Sequence, residues 1–434
     1  MTLPTTSASE SMQQEQPAQQ SNKPKQLQRK HDRLITRDMA LVMLATFCFM
    51  SSNMLANPIV AGYAESLGAS GMLMGVVAGS MSFTSLFCRP IAGNLSDRTS
   101  KRTLVTAGTV LYFTAGLLYY FANSSIMLIM ARVINGVGFA CCSVCLATWM
   151  SLLLPIRHMG AGMGLYGTMN ALAMAVGPAL GIRAQKYIGY RLTFLSSLIL
   201  AVIMLIATLM VKNGGQPVRK KQPSTTENPS LAVDIDGSAG ATKKHHLSIR
   251  SILEPRVVPL SLTFMMFAIA YFANQSFIMN YVEARHLPVS ADLFFMFYAV
   301  TLLVLRLVLR DLFDSKGFRS WLTLCSLGML AMLACMTFLF NDWMLLLAAF
   351  FTAVGYGLMS SVTQAQAVVI AGRERSGIAN STYYAGIDLG MSVGPFVGGL
   401  VYGRLPVVWF YPVFMLTVPV AWLIYWLCVR RVSR

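Results

Sequence analysis

Two ionisable residues lie deep within long apolar runs, where a charge is costly and marks a functional candidate. They are Arg132 and Asp388. Burial in lipid favours the neutral form of a carboxylic acid, so Asp388 could bind and release a proton as a cavity opens and closes. A structural interpretation stays open for both residues: Asp388 as a fixed hydrogen-bonding post, and Arg132 as a donor to backbone carbonyl groups.

A polar segment between two apolar runs is the second place where charges could interact. It extends from Gly93 to Val105 and has the sequence GNLSDRTSKRTLV. In a helix hairpin at a membrane surface, Asp97 can pair with a neighbouring basic residue and can face the positive N-terminus of another helix. The basic candidates for this pairing are Arg98, Lys101 and Arg102.

This pattern recurs half a chain length later. Arg306 and Asp314 lie 217 positions after Arg89 and Asp97, and the same offset carries Gly177-Pro178 onto Gly394-Pro395, in a chain of 434 residues. The echo is incomplete, because Arg310 and Ser315 stand where Gly93 and Arg98 would be. The repeat indicates a duplicated membrane unit whose charged hairpin acts mainly in the first copy.

The composition requires lipid as the solvent for most of the chain. Hydrophobic residues make up 55% and charged residues 12%, whereas soluble domains contain about 25% charged residues. The eight cysteines lie nearly all inside apolar runs, which favours packing over disulfides. No nucleophile–base pair, metal-ligand set or phosphate loop is visible, so we expect no enzyme activity, cofactor or metal.

Apolar runs long enough to cross a bilayer, which takes about 20 residues, occur at twelve places. They lie at roughly 39–63, 71–95, 103–122, 125–153, 159–182, 192–211, 257–282, 292–312, 320–340, 343–370, 376–402 and 406–429. Of the 34 Lys and Arg residues, 28 fall on one side of this arrangement and five on the other. By the positive-inside rule, both termini are predicted to be cytoplasmic.

The predicted domain boundaries follow from these runs. Residues 1–37 form a basic tail that is expected to be disordered, 38–212 an N-terminal six-helix half, 213–252 a flexible cytoplasmic linker, and 253–434 a C-terminal six-helix half. The net charge of +17 is spread over short loops, which argues against nucleic acid as a partner. Short predicted external loops favour a bacterial inner membrane.

Several motifs together resemble the major facilitator superfamily, in particular its twelve-helix drug:proton antiporters. The polar segment resembles the signature loop between helices 2 and 3, with Ser100 where the family usually has glycine. A second motif surrounds Arg132, with Asn135 where glutamine is common. The helix 5 motif is degraded, because Ala173 and Ile182 replace glycines, and span 11 has a fuller copy.

The resemblance implies an all-α membrane protein with twelve helices in two pseudo-symmetric six-helix bundles. It implies that Arg132 takes part in proton coupling and that a set of loop, glycine and proline residues acts as a latch and gating interface. The latch and gating residues are Arg89, Gly93, Asp97, Arg98, Lys101, Arg102, Gly177, Pro178, Gly394 and Pro395. The other interpretation is that these residues only fold and pack the helices.

The resemblance also implies that spans 1, 4, 7 and 10 line a central cavity. Polar and aromatic residues on these spans are the candidates for binding substrate, and their spacings on spans 7 and 10 predict polar stripes. The candidates are Asn53, Asn57, Asn135, Tyr271, Asn274, Gln275, Tyr356, Ser360 and Gln364. Such residues can also hydrogen-bond between helices, and this alternative stays open.

The predicted function is secondary active transport by alternating access. Export of a drug or small amphipathic metabolite, driven by protons, is the first choice. Transport of a sugar, opine or metallophore-like metabolite is the alternative, and a transport-dead membrane sensor or scaffold is a rival from another class. The expected partners are a small-molecule substrate, protons and the lipid bilayer, with the protein acting as a monomer.

Overall fold

Long apolar helices make up nearly all of the chain that the computed structural model describes, which is residues 36–154, 159–216, 253–309, 316–372 and 375–429. For a few helical residues, Asp97 among them, only the backbone is described. Asp314, Arg310 and Ser315 and most of the predicted tail and linker lie outside the described residues. No strand occurs in the ranges given, so the predicted all-α class is confirmed.

Five helices form the first part of the chain within the described residues. They are α1 (Arg37–Ser66), α2 (Gly71–Arg98), α3 (Lys101–Phe121), α4 (Ser125–Leu153) and α5 (Met159–Met210). Hydroxyl side chains cap two of them, because Ser70 accepts a hydrogen bond from the Leu73 amide and Ser124 accepts one from the Met127 amide. These caps allow α2 and α4 to begin directly after short connections.

Helix α5 doubles back at Gly189. Its 52 residues would extend about 78 Å if straight, far more than the ~30 Å of a bilayer core. Gly189 has φ 74° and ψ 174°, a conformation that glycine adopts readily. The two arms lie beside the same part of α1: Gly177 packs against Met54, and Ser52 donates a hydrogen bond to the Ser197 carbonyl. Gly189 therefore separates predicted spans 5 and 6.

The remaining elements form the second part of the chain. They are α6 (Val258–Ala284), α7 (Ala291–Val308), α8 (Phe318–Thr337), α9 (Asp342–Thr352), a π-helical segment (Ala353–Leu358), α10 (Met359–Ala371), α11 (Ser376–Arg404), a 3₁₀ turn (Val407–Trp409), α12 (Phe410–Phe414), α13 (Thr417–Ile424) and a terminal π-helical segment (Tyr425–Val429). Helices α9 and α10 are joined by the π-helical segment into one continuous helix.

A helix occurs at the position of every predicted span, but the structure does not confirm the predicted count of twelve spans. Ten helical stretches among the described residues are long and apolar enough to cross a membrane, with both arms of α5 counted as one. Helix α7, at the position of predicted span 8, has 18 residues and falls outside these ten. The twelve-span count and the division into two halves stay predictions; we call α1–α5 the N-terminal half and α6–α13 the C-terminal half.

The helices place their connections at two ends of the bundle. Tyr63 donates a hydrogen bond to the Ala122 carbonyl at 3.0 Å, which joins the last turn of α1 to the connection after α3. We call this the distal end. The Asp38 carboxylate accepts hydrogen bonds from the Lys212 and Asn213 amides at the opposite end, which we call the linker end.

Large apolar side chains cover much of the outer surface. Phe87 and Ile91, one turn apart on α2, are 62% and 68% exposed, and Ile126 on α4 is 70% exposed. Such exposure is unfavourable in water and expected in lipid, where no hydrophobic penalty applies. The chain is therefore a multi-pass membrane protein, as its composition predicts.

Candidate functional site

Helices α2 and α11 approach closely along a glycine stripe between the N-terminal and C-terminal halves. Gly71, Gly75 and Gly79 recur every four residues and share one face of α2. A Cβ atom added at Gly75 would lie 2.6 Å from the Pro395 carbonyl oxygen, and one at Gly79 would lie 2.6 Å from the Ser392 carbonyl oxygen. Only glycine fits there, so this stripe sets the distance between the two helices.

The other face of α11 packs equally closely against α6. A Cβ atom at Gly386 would lie 2.8 Å from the Ser261 carbonyl oxygen, and one at Gly394 would lie 2.6 Å from the Ile269 carbonyl oxygen. The two glycine patterns together hold α11 between α6 and α2. The predicted gating residue Gly394 thus packs within the C-terminal half, whereas Pro395 contacts the other half through Gly75.

Asp388, on the α2-facing side of α11, forms an ion pair with Arg89 of α2. Arg89 Nη2 donates to Asp388 Oδ1 at 3.0 Å, and Arg89 Nε contacts Asp388 Oδ2. A hydrogen bond between a guanidinium and a carboxylate is charge-assisted and therefore strong. The Asp388 side chain is 3% exposed and that of Arg89 is 23% exposed. The structure thereby brings together a predicted coupling residue and a predicted latch residue.

The ion pair lies where the interface begins to open. Tyr384, Asp388 and Ser392 follow one another at intervals of four on α11, and their exposures are 43%, 2% and 7%. The α2-facing side of α11 is therefore buried from Asp388 towards the distal end and becomes accessible one turn towards the linker end. Arg89 and Asp388 form the last closed layer on this face.

Arg132 binds polar groups of α1 and α2 from its position on α4. Its guanidinium donates to Asn57 Oδ1 at 3.2 Å, to the Val77 carbonyl at 3.2 Å and to the Ala78 carbonyl at 2.6 Å. Arg132 is 2% exposed. This is the arrangement expected for the structural interpretation, in which an arginine holds three helices together. Proton coupling through Arg132 stays a prediction.

The basic residues of the predicted latch contact the N-terminal half. Arg102 donates to the carbonyls of Val211 and Lys212, which lie just after α5. Lys101 donates to the Ser96 carbonyl, within the hairpin itself. Their backbone amides bond to Gly215 and Gly214. These contacts hold residues 211–215 against the hairpin.

The remaining predicted latch and gating residues lie in α2 and α5. The Asp97 side chain lies outside the described part of the structure, so its pairing stays a prediction. Arg98 is exposed, and a Cβ atom added at Gly93 would meet nothing within 4 Å. Gly177 packs against Met54 of α1, with Pro178 next to it in the same arm of α5. The predicted gating pair Gly177-Pro178 thus lies inside the N-terminal half.

Six of the predicted substrate-binding residues hydrogen-bond to protein neighbours or stack against them. Asn57 accepts from Arg132, as described above, and Asn274 accepts from Tyr411 Oη at 2.8 Å. Gln364 donates to Asn380 Oδ1 at 3.3 Å, and Ser360 donates to the Gly357 carbonyl at 2.8 Å. Tyr356 stacks on Tyr271 with ring centroids 3.9 Å apart. The Ser360 bond lies within one continuous helix. For the other five residues the contacts join different helices, which favours interhelical packing.

Other substrate candidates are buried with polar atoms left over. Asn53 is fully buried, and neither its amide nitrogen nor its oxygen has a hydrogen-bond partner. The Asn135 oxygen is likewise unpartnered. Gln275 Nε2 lies 3.8 Å from Met54 Sδ across the two halves. Asn53 and Asn135 therefore retain hydrogen-bonding capacity for a ligand, whereas the Gln275 amide nitrogen donates to Met54 Sδ.

The predicted polar stripe on α6 is divided. Asn274 contacts α12 through Tyr411, whereas Gln275 contacts α1 through Met54. Consecutive residues on a helix are rotated by about 100° from each other, so these two side chains cannot share a face. Only the Gln275 side of the predicted stripe meets the opposite half.

Two features were not identified from the sequence. The π-helical segment Ala353–Leu358 carries Tyr356, and its flanking Gly355 and Gly357 were the available signal. Glu65, in the last turn of α1, accepts hydrogen bonds from Asn280 of α6 and from Tyr402 of α11. A carboxylate at a helix end next to a loop resembles an ordinary solvated charge, so its type and position gave no signal.

Relatives with curated descriptions cover part of this chain. An uncharacterized MFS-type transporter of Methanocaldococcus jannaschii is 25% identical over 177 residues, which are 41% of this chain and 46% of that protein. An SPX domain-containing membrane protein of Arabidopsis thaliana is 33% identical over 169 residues, which are 38% of this chain and 24% of that protein. The matched segments thus span less than half the length of these relatives.

Solved structures share the fold over most of the chain. A peptide transporter in complex with alafosfalin has a TM-score of 0.68 at 12% identity, covering 91% of this chain and 94% of its own. A nucleoside transporter has a TM-score of 0.67 at 12% identity, covering 90% and 99%. The family model described as Major Facilitator Superfamily matches residues 42–340 and 316–434. The helical architecture, the interface between halves and this match agree, and the chain belongs to the Major Facilitator Superfamily.

Proposed function

We propose that this protein is a proton-coupled secondary transporter that exports a drug or small amphipathic metabolite by alternating access. The observation that carries the proposal is the Arg89–Asp388 ion pair between α2 and α11. In this proposal the linker end faces the cytoplasm of a bacterial cell, in agreement with the predicted excess of Lys and Arg on that side. The protein works as a monomer in the inner membrane, and no catalysed reaction is assigned to it.

Proton binding to Asp388 would weaken this contact between the halves. Two opposite charges 4 Å apart interact by about 4 kcal/mol at an effective dielectric constant of 20. A neutral Asp388 keeps at most a hydrogen bond to Arg89, so the closed layer at this position is easier to separate. Loss of the proton restores the pair, which gives protons a direct effect on rocking of one half against the other.

The proposed substrate path runs between the halves beside α1, α4 and α6. Asn53 of α1 and Asn135 of α4 are buried with polar atoms that have no protein partner, and Gln275 of α6 is buried with its amide nitrogen on Met54 Sδ. Methionine is polarizable and adaptable, and the chain contains 29 of them, which suits amphipathic ligands of different shapes. Export is favoured over import by the glycine-rich motif of α5 and its fuller counterpart in α11, which resemble those of antiporters.

The test is a substrate panel in proteoliposomes with an imposed pH gradient. The panel contains amphipathic dyes and drugs, a sugar, an opine and a metallophore, and compares the parent protein with Asp388→Asn. We expect the gradient to accelerate transport of an amphipathic compound by the parent and to have no effect on the Asp388→Asn variant.

Asp292→Asn is the matched control, because it makes the same chemical change in the first turn of α7. It should keep the full response to the gradient. A gradient response retained by Asp388→Asn would remove Asp388 from coupling. Transport confined to the sugar, opine or metallophore would establish the alternative substrate class, and a parent that moves none of the panel would favour the sensor.

A further inference from the structure

The distal ends of three helices meet at the carboxylate of Glu65. Its Oε2 atom accepts a hydrogen bond from Asn280 Nδ2 of α6, and its Oε1 atom accepts one from Tyr402 Oη of α11 at 3.2 Å. Asn280 is 2% exposed, and its amide oxygen has no hydrogen-bond partner. One carboxylate of the N-terminal half thus binds two donors of the C-terminal half.

Close packing of the surrounding helices keeps these donors within reach. A Cβ atom added at Gly62, one turn before Glu65, would lie 3.5 Å from Asn280 Nδ2 and 2.6 Å from Tyr190 Oη. Beside it, the backbones of Gly71 and Gly403 touch at the distal ends of α2 and α11. Glu65 therefore lies at the outer limit of the glycine-lined interface.

We propose that Glu65 is a gating residue that holds the distal side of the transporter closed. Opening of the distal side would separate α1 from α6 and α11, so both hydrogen bonds to Glu65 must break. Hydrogen bonds to a charged acceptor are stronger than neutral ones, which favours the closed state. Glu65 itself is exposed, so water can replace its partners and the gate can open.

This role is separate from that of Asp388. Arg89 and Asp388 lie at the linker-side limit of the α2–α11 contact, and Glu65 lies at its distal limit. The inference rests on the proposed function only in requiring that the two halves rock. It requires no proton coupling, because the Glu65 contacts are hydrogen bonds to neutral groups.

The experiment measures distances between spin labels by pulsed electron paramagnetic resonance. The labels are attached to a bio-orthogonal amino acid, which leaves the eight native cysteines unchanged. One pair at Tyr187 and Val408 reports the distal end, and one pair at Leu152 and Val369 reports the linker end; all four side chains are exposed. The purified, full-length protein is measured in nanodiscs without substrate and without a pH gradient.

We expect Glu65→Ala to raise the ratio of distal-open to distal-closed protein about tenfold, because both hydrogen bonds to the carboxylate are lost and water replaces part of each. The linker-end distance should shorten in the same molecules, because rocking opens one end as it closes the other. A local packing defect would change the distal distance alone, and that result would overturn the proposal.

Two further variants keep the inference testable if Glu65→Ala is poorly folded. Tyr402→Phe removes one donor and leaves the carboxylate in place, so it should give a smaller shift in the same direction. Glu283→Ala is the matched control, since it removes an exposed distal carboxylate that lies on α6. Unchanged distances in Tyr402→Phe and Glu65→Ala, or equal shifts in Glu283→Ala, would overturn the proposal. If Asp388→Asn kept its proton coupling, the proposed function would be wrong, but the distances expected for the Glu65 variants would stay the same.

Discussion

Arg89 and Asp388 lie 299 residues apart in the sequence, and their side chains form a two-point ion pair where α2 crosses α11. Arg89 belongs to the N-terminal half and Asp388 to the C-terminal half. The guanidinium also lies 5.6 Å from the centre of the Phe139 ring, a cation–π contact within its own half. The pair is thus anchored on one side and joined across the interface on the other.

Removal of Arg89 alone should be more disruptive than removal of both charges. Arg89→Gln leaves the Asp388 carboxylate without its partner, and we expect a loss of about 2 kcal/mol in unfolding free energy, between the values for exposed and buried ion pairs. The orphaned Asp388 can take up a proton, which limits the loss. In the double variant with Asp388→Asn, part of the stability should return.

Thermal unfolding in detergent measures this interaction as a double-mutant cycle. Additive effects of the two substitutions would contradict a direct energetic role for the ion pair.

The glycine stripe makes a prediction with an internal control. Gly75→Ala would bring a Cβ atom to 2.6 Å from the Pro395 carbonyl oxygen. Helices α2 and α11 would have to separate, at a cost of about 1–3 kcal/mol. Gly93→Ala, on the same helix, adds a Cβ atom that meets nothing within 4 Å, and it should stabilise the protein slightly because alanine favours helix.

Both variants gain the helix propensity of alanine. The difference between their thermal unfolding temperatures therefore measures the effect of packing at Gly75. Equal effects of Gly75→Ala and Gly93→Ala would show that the close approach at Gly75 contributes nothing to stability.

A substitution of Arg132 on α4 tests whether the protein requires the positive charge or the hydrogen-bonding geometry of the guanidinium. Arg132→Lys keeps the positive charge but cannot donate to Asn57, Val77 and Ala78 together. We expect a loss of about 2–3 kcal/mol in stability, since buried acceptors on α1 and α2 lose their donor. Thermal unfolding and gradient-driven transport are measured on the same preparation.

A variant with parental stability and no proton response would assign Arg132 to coupling instead. A variant with lowered stability and a normal proton response would confirm the structural interpretation.

The family and the positions of the long apolar helices could be predicted because their signals are local. Apolar length identifies a span wherever it occurs, and the motif around Arg132 lies within a few residues. The turn at Gly189 was predicted only as a gap between spans. A glycine can adopt the observed φ of 74°, but its presence in the sequence does not show that it does so. Helix periodicity continues on both sides of it.

Contacts between distant residues could not be predicted in the same way. Arg89 and Asp388 were each identified, but as a latch residue and a proton carrier, since nothing in either span encodes the angle at which α2 crosses α11. Glu65 was missed because its significance comes from Asn280 and Tyr402, which belong to other helices. Pairing across the interface depends on the assembled fold, whereas spans and motifs depend on neighbouring residues.

The contact between the charged hairpin and the segment after α5 gives the last prediction. Arg102→Gln removes a charged donor from the Val211 and Lys212 carbonyls, while the Ser100 hydroxyl still donates to the Gly214 carbonyl at 2.7 Å and Trp149 Nε1 still donates to the Asn213 carbonyl at 2.9 Å. Partial release of residues 211–215 should increase their amide hydrogen exchange several-fold without global unfolding. Arg98→Gln is the matched control, because Arg98 is exposed on the same hairpin. Equal exchange in the two variants would show that Arg102 does not hold this segment in place.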